Sequence, residues 1–131
     1  GLVREKAAEY IREFRIKSES QDTLLRYLSG GNQQKAALAK GLDVNPGVFI
    51  FDEPTRGVDV AARRDIYEFI NHLAESGVAC LMICSDLEEL LGMCRRVLVM
   101  HNGEIAGELC GESLTEEEIM YLATGVKREK E

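Results

Sequence analysis

The stretch Val48-Phe49-Ile50-Phe51-Asp52-Glu53-Pro54-Thr55 decides the fold. Four successive residues are β-branched or aromatic, with no polar alternation. That pattern predicts a strand buried on both faces, as in a parallel sheet. Two acids stand at its carboxyl end. Upstream, Asn45-Pro46-Gly47 ends a helix that starts after Ser29-Gly30-Gly31 and runs to about Leu42, with Leu38, Ala39 and Leu42 inward. Residues Ile16 to Tyr27 are polar and read as loop, and Val3, Ala7, Ile11 and Phe14 fall at helical spacing before them. Downstream, Asp59 caps a helix through Glu75 whose inward face is Ala62, Ile66, Phe69, Ile70 and Leu73, with Gly77 as its stop. Val78 to Cys84 is a second buried strand. Ser85-Asp86-Leu87-Glu88 reads as a capping box with Ser85 as the cap of a short helix to Gly92. Val97 to Met100 is a third strand, Asn102-Gly103 a tight hairpin into Glu104–Leu109, and Thr115-Glu116-Glu117-Glu118 the start of a last helix before a fraying Lys127–Glu131 tail.

The alternation of strands and helices predicts an α/β fold, with a parallel sheet of three strands and covering helices. In such sheets ligands gather at the carboxyl ends of strands. Two of the three apolar strands end there in polar residues, Asp52-Glu53 and Ser85-Asp86.

Composition narrows the classes. The chain has 131 residues, 45% hydrophobic and 30% charged, the balance of one soluble domain. A net charge of -7 argues against non-specific nucleic-acid binding, which depends on basic patches. No apolar run approaches the ~18 residues of a membrane span, and no secretory leader opens the sequence. Cys80, Cys84, Cys94 and Cys110 form no C-x-x-C pair and read as buried, reduced thiols of a reducing compartment. His72 and His101 read as structural or surface residues.

Two segments carry chemistry. An acid pair ending an apolar strand suits phosphoryl transfer with a metal: Asp52 holds Mg²⁺, usually through water, and Glu53 orients or deprotonates an attacking water. Alternatively the pair is a solvated strand end. In Leu28-Ser29-Gly30-Gly31-Asn32-Gln33-Gln34-Lys35, two glycines allow a close backbone approach, Ser29 adds a hydroxyl, and the following helix aims free N–H groups at the same point. Together they suit a terminal phosphate. Alternatively they are a Ser/Gly helix cap.

The two segments occur together in this order, 21 residues apart from Gly31 to Asp52. Leu28-Ser29-Gly30-Gly31 resembles the signature motif of ATP-binding cassette (ABC) proteins, Val48–Glu53 their Walker B strand, and Gly57-Val58-Asp59 their D-loop. The longer strings Leu28–Lys35 and Asp52–Asp59 are similar to those in the second cassette of duplicated ATPase subunits of bacterial monosaccharide importers. The resemblance runs from about residue 5 to 110. It implies a partial P-loop NTPase core with a remnant of the helical subdomain and a C-terminal hairpin. The segments it implies are 1–45 for the subdomain remnant with the signature, 46–112 for the core and 113–131 for a C-terminal helix and tail. It also implies ATP and Mg²⁺ as cofactors, with Glu53 catalytic, Asp52 on the metal, and Ser29, Gly30, Gly31, Asn32, Gln33, Asp59 and Ser85 toward the nucleotide. The implied partners are a second nucleotide-binding cassette, membrane permease subunits and, indirectly, a solute-binding protein, on the cytoplasmic face of the plasma membrane. No nucleic acid is implied.

Two departures qualify it. The chain contains no G-x-x-x-x-G-K-[ST] loop and no Gly-Lys dipeptide, so it reads as about the C-terminal half of a cassette. The position where the family carries a His after the second strand is Ser85. The expected role is to lend the signature to a competent site on a partner cassette. A non-catalytic dimerisation or regulatory module, or a non-transport ABC ATPase, stays open as an alternative. A truncated sheet further predicts self-association through Phe49, Phe51 and Met82, left open on an uncovered face.

Overall fold

The computed structural model describes residues 2–126, so the expected fraying of Lys127–Glu131 lies outside the described residues. The chain forms two compact units, Gly1–Ile83 and Cys84–Glu131.

The first unit holds α1 (Leu2–Glu13), α2 (Gly30–Leu42), β1 (Val48–Asp52), α3 (Val60–Glu75) and β2 (Ala79–Ile83), with a 3-10 turn at Leu25–Tyr27. These elements follow the sequence pattern closely. β1 and β2 pair in parallel, from Val48 opposite Ala79 to Asp52 opposite Ile83. One face of this ribbon carries Phe49, Phe51, Cys80 and Met82, and the helices cover it. Phe49 stacks on Phe51 at 4.5 Å between ring centroids, Phe69 of α3 meets both edge-on, and Phe14 lies 4.6 Å from Phe69. Phe51 is 2% exposed.

The other face is open. Val48, Ile50, Leu81 and Ile83 are 49–62% exposed. The expectation of strands buried on both faces is therefore corrected. So is the expectation that Phe49, Phe51 and Met82 face outward: the aromatic residues are drawn under α3 because Phe14 and Phe69 supply ring contacts there, and the aliphatic residues are left outside.

The second unit holds α4 (Leu87–Met93), β3 (Arg96–His101), β4 (Glu104–Cys110) and α5 (Glu116–Thr124). β3 pairs with β4 in an antiparallel hairpin, not in the parallel sheet that the strand–helix alternation predicts. Burial gives the reason. Val97 and Val99 point into a core with Leu109 and Ile119, while Leu98 and Met100 are exposed, the one-sided alternation of an antiparallel ribbon. The turn has Asn102 at φ 50° and Gly103 at φ 82°, the left-handed pair of a two-residue hairpin loop. Thr115 caps α5 as expected by accepting from the Glu118 N–H.

None of the four cysteines forms a disulfide. Cys80, Cys84 and Cys94 are half-buried but Cys110 is exposed, which corrects the expectation of four buried thiols. No helix among the described residues is long and apolar enough to cross a membrane. The two ribbon faces make a direct prediction: in chemical denaturation Phe51→Ala loses about 3–5 kcal/mol, whereas Ile50→Thr on the open face loses less than about 1 kcal/mol.

Candidate functional site at the junction of α2 and α3

Ser29 stands in extended conformation before α2, and its side chain closes the first turn. Its Oγ accepts from the Asn32 N–H at 3.4 Å and from Asn32 Nδ2 at 2.9 Å. Asn32 Oδ1 accepts in turn from the Lys17 N–H at 3.0 Å, and Gln33 Nε2 donates to the Leu28 carbonyl at 2.9 Å. The side chains of Asn32 and Gln33 are thus engaged in fixing the turn. Ser29 and Gly30 are exposed at its tip.

Gly31 is buried for a packing reason. A Cβ on it would stand 2.5 Å from the Ala62 Cβ and 3.2 Å from Val58 Cγ1. Only a residue without a side chain lets α2 approach α3 this closely. Asp59 caps α3, with Oδ1 accepting from the Ala62 N–H at 3.0 Å. That hydrogen bond, aided by nearby Lys35, holds its carboxyl below the usual aspartate range. The expected capping role of Asp59 is therefore present, and the same residue borders the Ser29-Gly30-Gly31 turn.

One turn along α2, Lys35 is buried and pairs with Asp65 of α3. Its Nζ also donates to the Arg15 carbonyl at 3.4 Å. Arg15 adds ion pairs at 3.4 Å to Asp65 and 3.6 Å to Glu68. No motif in the sequence marks this network. Its available signal was spacing: Lys35 falls four residues after Gly31 on the inward face that continues through Leu38 and Ala39.

The acid pair ends β1. The Glu53 N–H donates to the Ile83 carbonyl at 2.9 Å, carrying the parallel ladder one residue beyond the strand, and its carbonyl accepts from the Arg56 N–H at 3.1 Å. Glu53 has φ 47°, left-handed backbone that an L-residue keeps only where its surroundings impose it. Pro54 and Thr55 are buried beneath this turn. The side chains of Asp52 and Glu53 make no hydrogen bond or ion pair among the described residues.

Ser85 lies in the second unit and is exposed. It does not cap α4. Asp86 does, through Oδ1 accepting from the Glu89 N–H at 3.1 Å. Cys84 explains the shift by one residue: its Sγ accepts from the Asp86 N–H at 3.2 Å, and its thiol donates to the Glu89 carboxylate, so the loop closes before Asp86. The expected capping box at Ser85 and Glu88 is not formed.

Two outcomes test this geometry. Gly31→Ala lowers the melting temperature markedly, because the Ala62 methyl is fixed to backbone, while Gly30→Ala, 3.7 Å from its nearest neighbour, the Gly57 carbonyl, changes it little. For Asp59, the depressed native pKa means its carboxylate stabilises the fold fully above the unperturbed 3.8 and loses that effect as pH falls through the lower native value. The stability gap between wild type and Asp59→Asn therefore narrows on acidification, read by melts across that range.

Comparison with known proteins agrees with this arrangement. A family model described as ABC transporter matches residues 3–56. The chain is 54% identical over 115 residues to the ribose import ATP-binding protein RbsA of Bacillus licheniformis, covering 88% of this chain and 23% of that protein. The protein of the same name from Bacillus subtilis is 52% identical over 115 residues, with the same shares. The chain thus spans less than a quarter of the length of these relatives. A solved ATP-binding cassette of an ABC transporter superposes with a TM-score of 0.78 at 27% identity, over 93% of this chain and 50% of that one. A dimeric cassette in a post-hydrolysis state bound to ADP and Pi gives 0.71 at 25% identity, over 85% and 47%. A parallel ribbon ending in Asp52-Glu53, a Ser-Gly-Gly helix start locked to the next capped helix, and these likenesses together make the chain similar to part of an ATP-binding cassette of the ABC transporter family.

Proposed function

We propose that this chain is the signature-bearing part of a nucleotide-binding cassette in a bacterial monosaccharide importer, where it couples ATP hydrolysis to uptake. Its main contribution is to present the start of α2 to the terminal phosphate of an ATP held largely by a facing cassette. The observation that carries this is the exposed Ser29-Gly30 tip, whose helix is locked in place behind it by Gly31 against Ala62. Helix N–H groups and a hydroxyl fixed before the phosphate arrives need no reorganisation on binding. The printed name of the ribose import relatives supports sugar uptake, and the dimeric cassette with ADP and Pi supports a facing partner.

Within the chain's own half-site, Glu53 holds or takes the proton of an attacking water, and its unpaired carboxylate at the strand end suits that role. Asp52, exposed beside it, offers the oxygen donor that Mg²⁺ takes, usually through water. Mg²⁺ there supplies charge neutralisation for the phosphates. Where the family carries a His, the sequence has Ser85, a hydroxyl with no imidazole, which favours reading the chain's own half-site as the weaker of the two. The proposed partners are a second cassette and permease subunits, with a solute-binding protein reached through them, at the cytoplasmic face of the membrane.

The test is vesicle ATPase of the importer containing this chain. Ser29→Arg and Gly30→Asp lower the rate by about a hundredfold or more, Gly30→Asp with little shift in the melt of the chain and Ser29→Arg with the added loss of the α2 cap, about 1 kcal/mol, and Ser85→His leaves the rate near wild type. Near-normal hydrolysis in Gly30→Asp contradicts the proposal. A rise in Ser85→His shows that the chain's own half-site was limiting. The isolated 131-residue chain, with no phosphate loop in its sequence, shows no micromolar Mg-ATP binding by titration calorimetry.

A further inference from the structure

Of the aromatic side chains among the described residues, Tyr27 alone is exposed, at 69%. It is nonetheless held in place. The Arg26 guanidinium carbon lies over the ring, 4.9 Å from its centroid and within cation–π range, and Arg26 Nη2 donates to the Tyr27 hydroxyl at 3.1 Å. The Tyr27 N–H donates to the Leu24 carbonyl at 2.9 Å, which closes the 3-10 turn Leu25–Tyr27. With Arg26 against one face, the exposure of the ring leaves the opposite face to solvent. Ordering two large side chains at a surface costs conformational entropy, and a ring ordered in advance loses less on taking a ligand. The ring is also tied to the candidate site. Tyr27 stands two residues before Ser29, so their Cα atoms are at most about 7 Å apart. Leu28, between them, is anchored to α2 by its carbonyl, which accepts from Gln33 Nε2 at 2.9 Å. The ring therefore keeps a set distance from the exposed Ser29-Gly30 tip.

We propose that Tyr27, backed by Arg26, is a stacking platform for the base of the nucleotide whose terminal phosphate meets the Ser29-Gly30 tip. The inference rests on the function proposed above and adds a contact to the other end of the same ligand. N–H donors and a hydroxyl at a helix start recognise a phosphate, but they do not distinguish a nucleotide from a bare polyphosphate. An open aromatic face at a fixed distance from that tip does, because every base carries a π-face that stacks on it.

The experiment places Tyr27→Ala, Tyr27→Leu and Tyr27→Phe beside wild type in three measurements: the melt of the chain, the KM and kcat for ATP of the importer containing it, and the site at which irradiated 8-azido-ATP attaches to that importer. Tyr27→Ala is expected to melt close to wild type, because the ring is exposed, and to raise KM by about tenfold with a much smaller change in kcat. Tyr27→Leu, apolar but without a π-face, shows the same loss, and Tyr27→Phe recovers most of it. The azido nucleotide labels the segment Leu24–Ser29 of wild type, and excess ATP removes the label. An unchanged KM in Tyr27→Ala, a fall in kcat with KM unchanged, or no label on that segment overturns the proposal. A normal KM in Tyr27→Leu also overturns it, because the ring would then be an apolar contact with the facing cassette. If Tyr27→Ala lowers the melt, the comparison of Tyr27→Leu with Tyr27→Phe decides on KM alone. Normal hydrolysis in Gly30→Asp sinks the function proposed above and this inference with it. An inactive Gly30→Asp beside an unchanged Tyr27→Ala overturns this inference alone.

Discussion

The contact between Gly31 and Ala62 sets the distance between α2 and α3, and the candidate site depends on that distance. With a Cβ at Gly31 only 2.5 Å from the Ala62 methyl, no side chain fits, so the helix axes meet as closely as backbones allow. The consequence is mechanical. The turn that presents Ser29 and the turn capped by Asp59 become two edges of one body. Behind them the Lys35–Asp65 pair and its bond to the Arg15 carbonyl tie α2, α3 and the end of α1 together. A buried ion pair of this kind adds little net stability over a well-packed apolar pair, but losing one partner is strongly destabilising. It therefore fixes register more than it adds free energy.

This coupling bears on how the proposed phosphate contact would be transmitted. A group bound at the Ser29-Gly30 tip acts on a helix start that cannot move independently of α3. Asp59, the cap of α3, lies 3.6 Å from where a Gly31 side chain would begin. Displacement of the α2 start is therefore felt at the cap of α3 without any flexible intermediary. The left-handed Glu53 is held by a different device, the ladder bond to Ile83 and the buried Pro54-Thr55 beneath it.

Much of this was legible in the sequence. The helices starting at Ser29, Asp59 and Thr115 were marked by residues whose side chains do cap them, and the strand ending in Asp52 by an unbroken apolar run. Three features were not legible, for physical reasons. An apolar run such as Val97–Met100 does not say whether one face or two will be covered, so β3 was assigned to the parallel sheet it does not join. Ser85 and Asp86 are both good caps, and only the Cys84 thiol bonding Asp86 and Glu89 decides between them. Gly31 in a Ser-Gly-Gly turn suggests room for a ligand, while the Ala62 methyl that demands the glycine lies 31 positions along the chain.

The rigid junction is tested most directly by a double-mutant cycle on the contact that creates it. Gly31→Ala, Ala62→Gly and the double variant are compared by equilibrium unfolding. The Ala62→Gly change removes the methyl that Gly31→Ala would strike, so the double variant should be clearly more stable than the sum of the single effects predicts. Additive losses would contradict the account, because they would mean that Gly31 is required for a reason other than the close approach of α2 to α3.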